Sequence, residues 1–327
     1  MSVERPQIND SLAKRNAVIL AMTQALGSAA ASIVISTGSL VGYALLGNNK
    51  SFSTLPITAM VLGTAIAMLP AGMIMGRFGR RTGFAGAALV GVCAGLIAAY
   101  AIYIASFPLF VLACGLTGTA GAFTQQYRFA AADTASEEFK PKAISWVMAG
   151  GVLAGVVGPQ TVIWTKDLFL PVLFIGTYLA LAGLALVCFC FLLFLRIPRP
   201  QKPVDKKAAG GRPMSVIMRQ PRFVVAVTCA VTSYALMSLV MTAAPLAMVG
   251  CGLTQTDATL GIQWHVLAMF APSFFTGNLI ARFGKEKIVA TGLALLAACS
   301  VVALMGLDLA NFWTALILLG LGWNFGF

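Results

Sequence analysis

Apolar runs of about 20 residues recur from one end of this chain to the other, each long enough for a helix to cross a bilayer. In hydrocarbon every backbone N–H and C=O must be satisfied within the protein, so such runs cross as helices or as strands of a closed barrel. No alternation of apolar and polar residues marks barrel strands. Helices are therefore expected over 17–42, 55–76, 83–105, 108–128, 143–165, 169–195, 222–248, 258–281, 288–307 and 310–327. The last run reaches Phe327 without a polar tail, which reads as a fragment with nine complete spans and a tenth cut short. Composition agrees: the chain is 59% hydrophobic and 10% charged, where a soluble domain is about a quarter charged. Soluble enzymes, secreted disulfide scaffolds and disordered chains are poor readings. The expected fold class is an all-α polytopic membrane protein whose partner is the lipid bilayer.

A net charge of +12 invites nucleic acid, but the basic residues lie between the apolar runs. With the N-terminus in the cytoplasm, all of the 22 Lys and Arg residues except Lys50 and Lys166 fall on the cytoplasmic side. That sorting is the positive-inside pattern of a multi-pass protein. The seven cysteines are scattered, mostly mid-span, and read as small packing residues. Neither a metal site nor a cofactor is expected.

Residues 196–221 form a linker that holds five prolines, a Gly210-Gly211 pair and most of the central charge. It divides the chain into an N-terminal half, 1–195, and an incomplete C-terminal half, 222–327. The two halves repeat. The segment Gly72-Met-Ile-Met-Gly-Arg77-Phe-Gly79-Arg80-Arg81 returns 205 positions later as Gly277-Asn-Leu-Ile-Ala-Arg282-Phe-Gly284-Lys285-Glu286. The same offset carries Gly115-Leu116 onto Gly320-Leu321 and Gly121 onto Gly326. Parallel repeats of this kind occur in transporters, related by an axis along the membrane normal.

The repeated segment, at the cytoplasmic end of spans two and eight, resembles the loop signature of the major facilitator superfamily, G-x-x-x-D-R/K-x-G-R/K-R/K. Two further segments carry the resemblance. Gly150-Gly151-Val-Leu-Ala-Gly155-Val-Val-Gly158-Pro159 in span five is similar to a Gly-rich signature of the family's proton-driven exporters. Tyr127-Arg128-Phe-Ala-Ala-Ala-Asp133 closes span four with an acid, as family members often do. The resemblance implies two six-helix bundles that rock about a central site, in a bacterial cytoplasmic (inner) membrane, with the protein acting as a monomer. It also implies that Gly72, Arg77, Gly79, Arg80, Arg81, Asp133, Gly277, Arg282, Gly284 and Lys285 belong to a gating loop motif. Gly151, Gly155, Gly158 and Pro159 would be helix-packing positions. The sequence departs from the family pattern in two places: the signature acid is replaced by Gly76 and Ala281, and the span-four arginine of exporters aligns near Cys114. Asp133, Glu137 or Glu138 could pair with Arg77, Arg80 or Arg81 as a latch.

Candidate binding residues are few. His265, the sole histidine, falls about seven residues into span eight. It is a candidate for proton coupling or substrate binding, or a neutral side chain bonded to a neighbouring helix. Gln24, Ser28 and Ser32 share one face of span one. In the family fold, spans one, four, seven and ten line the cavity. This makes Gln24, Thr117, Thr124, Tyr234 and Asn324 candidates, with Trp323, Gln160 and Trp264 beside them. No Asp, Glu, Lys or Arg lies deep in a span, so a neutral, zwitterionic or weakly cationic organic solute is expected as substrate. The expected function is secondary transport of a small organic solute by alternating access, more in the manner of proton-coupled efflux, with protons as coupling ion. An uptake permease is the alternative, and a truncated non-transporting membrane protein is the reading from a different class. An enzyme, an ATP-driven pump and a channel are disfavoured, because no catalytic constellation, phosphate-binding loop or filter loop is visible.

Overall fold

The computed structural model of the protein describes residues 10–47, 50–197 and 214–326. Linker residues 198–213 lie outside the described residues, and with them most of the linker charge. The first half holds α1 (Asp10–Leu45), α2 (Leu55–Phe78), α3 (Arg80–Tyr103), α4 (Phe107–Thr124), α5 (Tyr127–Asp133), α6 (Lys140–Thr165) and α7 (Ile175–Leu193). After the short α8 (Met214–Met218) come α9 (Pro221–Gly250), α10 (Gln255–Phe270), α11 (Ser273–Phe283), α12 (Lys285–Met305) and α13 (Leu309–Gly326). Proline sits in the first turn of α2, α4, α6 and α9, where its missing N–H would have no partner anyway. At α10 the start is set by a capping box between Thr254 and Asp257.

Eight candidate membrane spans, seven single helices and α4 with α5 taken together, are long and apolar enough to cross a bilayer. Span seven, expected over 222–248, is α9, Pro221–Gly250. Span eight departs from the expected outline. The segment expected as one helix over 258–281 is two, because Pro272 lacks an N–H and its ring displaces the carbonyl four residues back. Span six also starts later than expected, at Ile175. The chain first turns through residues 166–174, where the Phe174 N–H donates to the Lys166 carbonyl at 2.8 Å.

In the first half α1 packs on α6 and α7, α2 on α4, and α3 on α4 and α7. Its core has two layers. One surrounds Phe84, Tyr127 and Leu192, the other Phe110, Tyr178 and Val162. In the second half α10 packs on α13, α12 on α13, and α9 on both α10 and α13.

The repeat is visible as geometry. Gly79 and Gly284, 205 positions apart, both have left-handed φ, 91° and 85°, with ψ of 155° and 151°. Each ends one helix and starts the next. The Gly79 N–H donates to Met75 and the Gly284 N–H to Ile280, again 205 apart. Arg77 lies 5.4 Å from the Phe78 ring and Arg282 5.3 Å from the Phe283 ring. Where α2 meets α4, Gly63 touches the Gly115 backbone; where α10 meets α13, Gly320 faces Ala268. Only residues without bulk permit these approaches, which bring helix axes together where lipid gives no hydrophobic drive.

Candidate functional site

Contact between the halves is concentrated on α1 and α6 on one side and on α9 and α10 on the other. It lies toward the end that carries Lys50 and Lys166. Ile35 of α1 packs into the second-half core, while Leu246 and Val249 of α9 pack on the first. The α6–α10 seam is closest at its glycines. A Cβ on Gly155 would come within 2.9 Å of Val266, and one on Gly151 within 3.3 Å of the Phe270 ring. Nearer the Lys166 end, Gln160 Nε2 donates to Gln263 Oε1 at 2.9 Å. The seam runs from that amide pair down to Gly151 and Phe270, one residue before the Ala271–Pro272 break. Beyond the break α11 packs on α12. Gly72 and Gly76 of α2 have open space where a side chain would be. The seam does not continue beyond the break: among the described residues α6 packs on α10 and not comparably on α11, so toward the arginine end α6 and the second half part.

Gln24 sits where they part. A Cβ on Gly150 of α6 would come 3.0 Å from the Gln24 Cβ, so Gln24 lies one residue from the level of the Gly151–Phe270 contact. It shares its face of α1 with Ser28, Ala31 and Ile35, at helix spacing. Its Nε2 donates to Ser28 Oγ at 2.8 Å. Its Oε1 remains available on a half-buried side chain. Tyr234 of α9, exposed over 44% of its surface, corresponds through the 205-residue offset to Ala29 of α1, which is buried against Gly158 of α6 within its own half, so the correspondence does not bring Tyr234 to the cleft.

Three other predicted residues face elsewhere. His265 is fully buried, and its Nδ1 lies 2.9 Å from the Leu316 carbonyl of α13. A carbonyl only accepts, so the proton is on Nδ1; Nε2 is buried without a hydrogen-bond partner. The imidazole thus belongs to the α10–α13 contact rather than to the seam. Trp264 turns outward, 40% exposed, with its ring 6.5 Å from that of Trp313. Asn324 bridges the break in span eight. Its Nδ2 donates to the Met269 carbonyl at 2.8 Å and to Ser273 Oγ at 2.7 Å, and its Oδ1 accepts from Thr276 Oγ1 at 2.8 Å. Both amide N–H groups and one oxygen lone pair are used, and the Met269 bond satisfies a carbonyl at the break. Thr117 and Thr124 bond to carbonyls of their own helix and line a cavity of about 30 Å³ inside the first half.

Of the loop motif, Arg80 pairs with Asp133, which ties α3 to α5 within one half. Arg77 lies on Phe78, and Glu137 pairs with Lys140. The Arg80–Asp133 pair is partly exposed and stabilises by about 1 kcal/mol or less. Gly277 lies in α11 and Lys285 opens α12. The span-five motif divides by face. Gly150 and Gly158 meet α1, whereas Gly151 and Gly155 meet α10. Gln263 was not singled out from the sequence. Its signal was available: an amide within an apolar span, next to Trp264 and at the depth of Gln160.

A multi-pass helical membrane protein built from two repeated bundles, meeting at one end and parting at the other, is the architecture of a solute carrier. The profile of the Major Facilitator Superfamily matches residues 16–327, and the chain belongs to that family. The riboflavin transporter RfnT of Brucella anthropi is 52% identical over 315 residues, which cover 96% of this chain and 79% of RfnT. An uncharacterized MFS-type transporter of Bacillus subtilis, YddS, is 30% identical over 99% of this chain and 78% of its own length. Among solved structures, a bacterial homologue of the human lysosomal transporter Spinster superposes with a TM-score of 0.72. It shares 13% sequence identity, over 97% of this chain and 74% of that one. The fold is therefore that of the family.

Proposed function

We propose that this chain carries riboflavin, or a flavin of similar shape, across the membrane by alternating access. The observation that carries the substrate class is the 52% identity to a riboflavin transporter along nearly the whole chain. The site agrees with it. Riboflavin is a neutral, flat ring system with a polar imide edge and a hydroxylated side chain. The described part of the cleft offers an amide oxygen on Gln24, the Ser28 hydroxyl and the Phe270 ring, and no fixed charge. The arginine end faces the cytoplasm in this reading, as the positive-inside distribution requires, and the membrane is the bacterial inner membrane. The cleft is then open inward.

Import is the direction the site favours. Cys114, where exporters place an arginine, is buried in an apolar layer, and the one buried imidazole is engaged by a backbone carbonyl. Proton-coupled efflux, the direction suggested by the Gly-rich motif of α6, has only His265 left as carrier. Transport into proteoliposomes separates the two. Labelled riboflavin enters without an imposed proton gradient, and Gln24→Leu raises KM roughly three- to tenfold, the worth of one hydrogen bond. Transport that runs only against a proton gradient, and loses its pH dependence in His265→Ala, would establish proton exchange instead.

A further inference from the structure

We propose that Gln160 and Gln263 are the removable clasp of the gate at the Lys50 end, positioning residues that set how readily the carrier opens there. Their bond, 2.9 Å long, joins two amides across the seam between the halves. Both side chains are half-buried, and each keeps an unused group, Gln160 Oε1 and Gln263 Nε2. Water can therefore replace the partner when the bond breaks, and no polar group is stranded in an apolar setting. The rest of the seam, Gly155 on Val266 and Gly151 on Phe270, is apolar and buried at its centre. It gives the halves a fit without a specific polar catch.

The helix bearing Gln160 is built to yield at that point. Pro159, inside α6, removes the donor that would bond the Gly155 carbonyl. The missing bond lets the turn carrying Gln160 give by the small amount that parting one hydrogen bond needs, while Gly150, Gly158 and the buried Val162 keep α6 in the first half. Because both partners are neutral amides, the catch holds equally across the physiological pH range and feels no pull from the membrane potential. A charged pair at the same place would have to be stripped of more tightly held water each time it reclosed. The three ion pairs identified among the described residues, Arg80–Asp133, Lys140–Glu137 and Lys166–Asp167, all lie within the first half.

The inference rests on the alternating-access reading, but its test needs no substrate. Ile35→Cys places a thiol in the seam. Cys251→Ser removes the exposed cysteine after α9, at the same end. A membrane-impermeant maleimide is then applied from the Lys50 side. Gln160→Leu and Gln263→Leu each raise the labelling rate of Cys at position 35 roughly two- to tenfold, the range of one neutral hydrogen bond. The double variant labels no faster than the faster single, because both remove the same interaction. Unchanged or slower labelling in the single variants overturns the proposal, as does a double variant whose increase is the product of the two. Where a leucine variant loses its cooperative melting transition, Gln160→Asn and Gln263→Asn shorten the pair while keeping its polarity, and the same outcomes apply. Riboflavin transport by the unsubstituted chain is scored separately, so a wrong substrate does not count against the clasp.

Discussion

Single amides make several of the polar contacts between helices, and Asn324 shows how. It was recognisable in the sequence as a buried primary amide in need of several partners. The sequence could not show that those partners would be Met269, Ser273 and Thr276, because they become available only when Pro272 breaks span eight. Asn324→Ala takes the amide from the Met269 carbonyl and the Ser273 hydroxyl, while the Thr276 hydroxyl keeps the Pro272 carbonyl, and should cost about 1–3 kcal/mol. A lowered melting midpoint in detergent is the expected result. Thr276→Ala added to that background should cost little more, since the shared bond is already gone. His265 follows the same logic. Its isolation was legible, but which helix it would face depended on the rotation of α10 against α13. The structure turns it toward Leu316 and brings Gln263, on the opposite side, to the seam.

Among the helices, α6 has two glycine edges with different work. Gly150, Ala154 and Gly158, spaced by four, face α1 within the first half. Gly151 and Gly155 face α10 across the seam. A Cβ on Gly150 would collide with the Ala21 carbonyl, and one on Gly158 would come 2.7 Å from the Ser32 Cβ. Gly150→Ala should therefore lower the yield and melting temperature of the folded protein. Gly155→Ala meets the side chain of Val266 instead, and should leave melting near the parent while speeding maleimide labelling at position 35. Equal destabilisation by both variants would contradict this division. The glycine run was conspicuous in the sequence, whereas its split between two partners was not. Adjacent positions point about 100° apart on a helix, and the partner of each follows only from the packing. Boundaries set by glycine and proline were more legible. The Gly79 and Gly284 turns fall where the repeat placed them, while the Pro272 break was hidden inside an apolar run that read as one span.

At the scale of the molecule, the repeat of 205 residues and the loop signature it carries pointed from the sequence to the family that the profile match establishes. Hydropathy gave the order of the spans closely, because it reports on the bilayer rather than on tertiary packing. The arrangement of the bundles was not legible. It depends on which small-residue faces meet, and the structure shows them meeting from Gln160 to Phe270 and parting toward the arginines. A protein built this way exposes its site to one side at a time. Counterflow tests that claim most directly. Proteoliposomes are loaded with unlabelled riboflavin and diluted into a trace of labelled riboflavin. A carrier that alternates between the two faces predicts a transient accumulation of label above its external concentration, which then decays. Label that only rises to equilibrium, in protein with an intact melting transition, would show an open passage or no carriage of flavin at all, and would contradict the account.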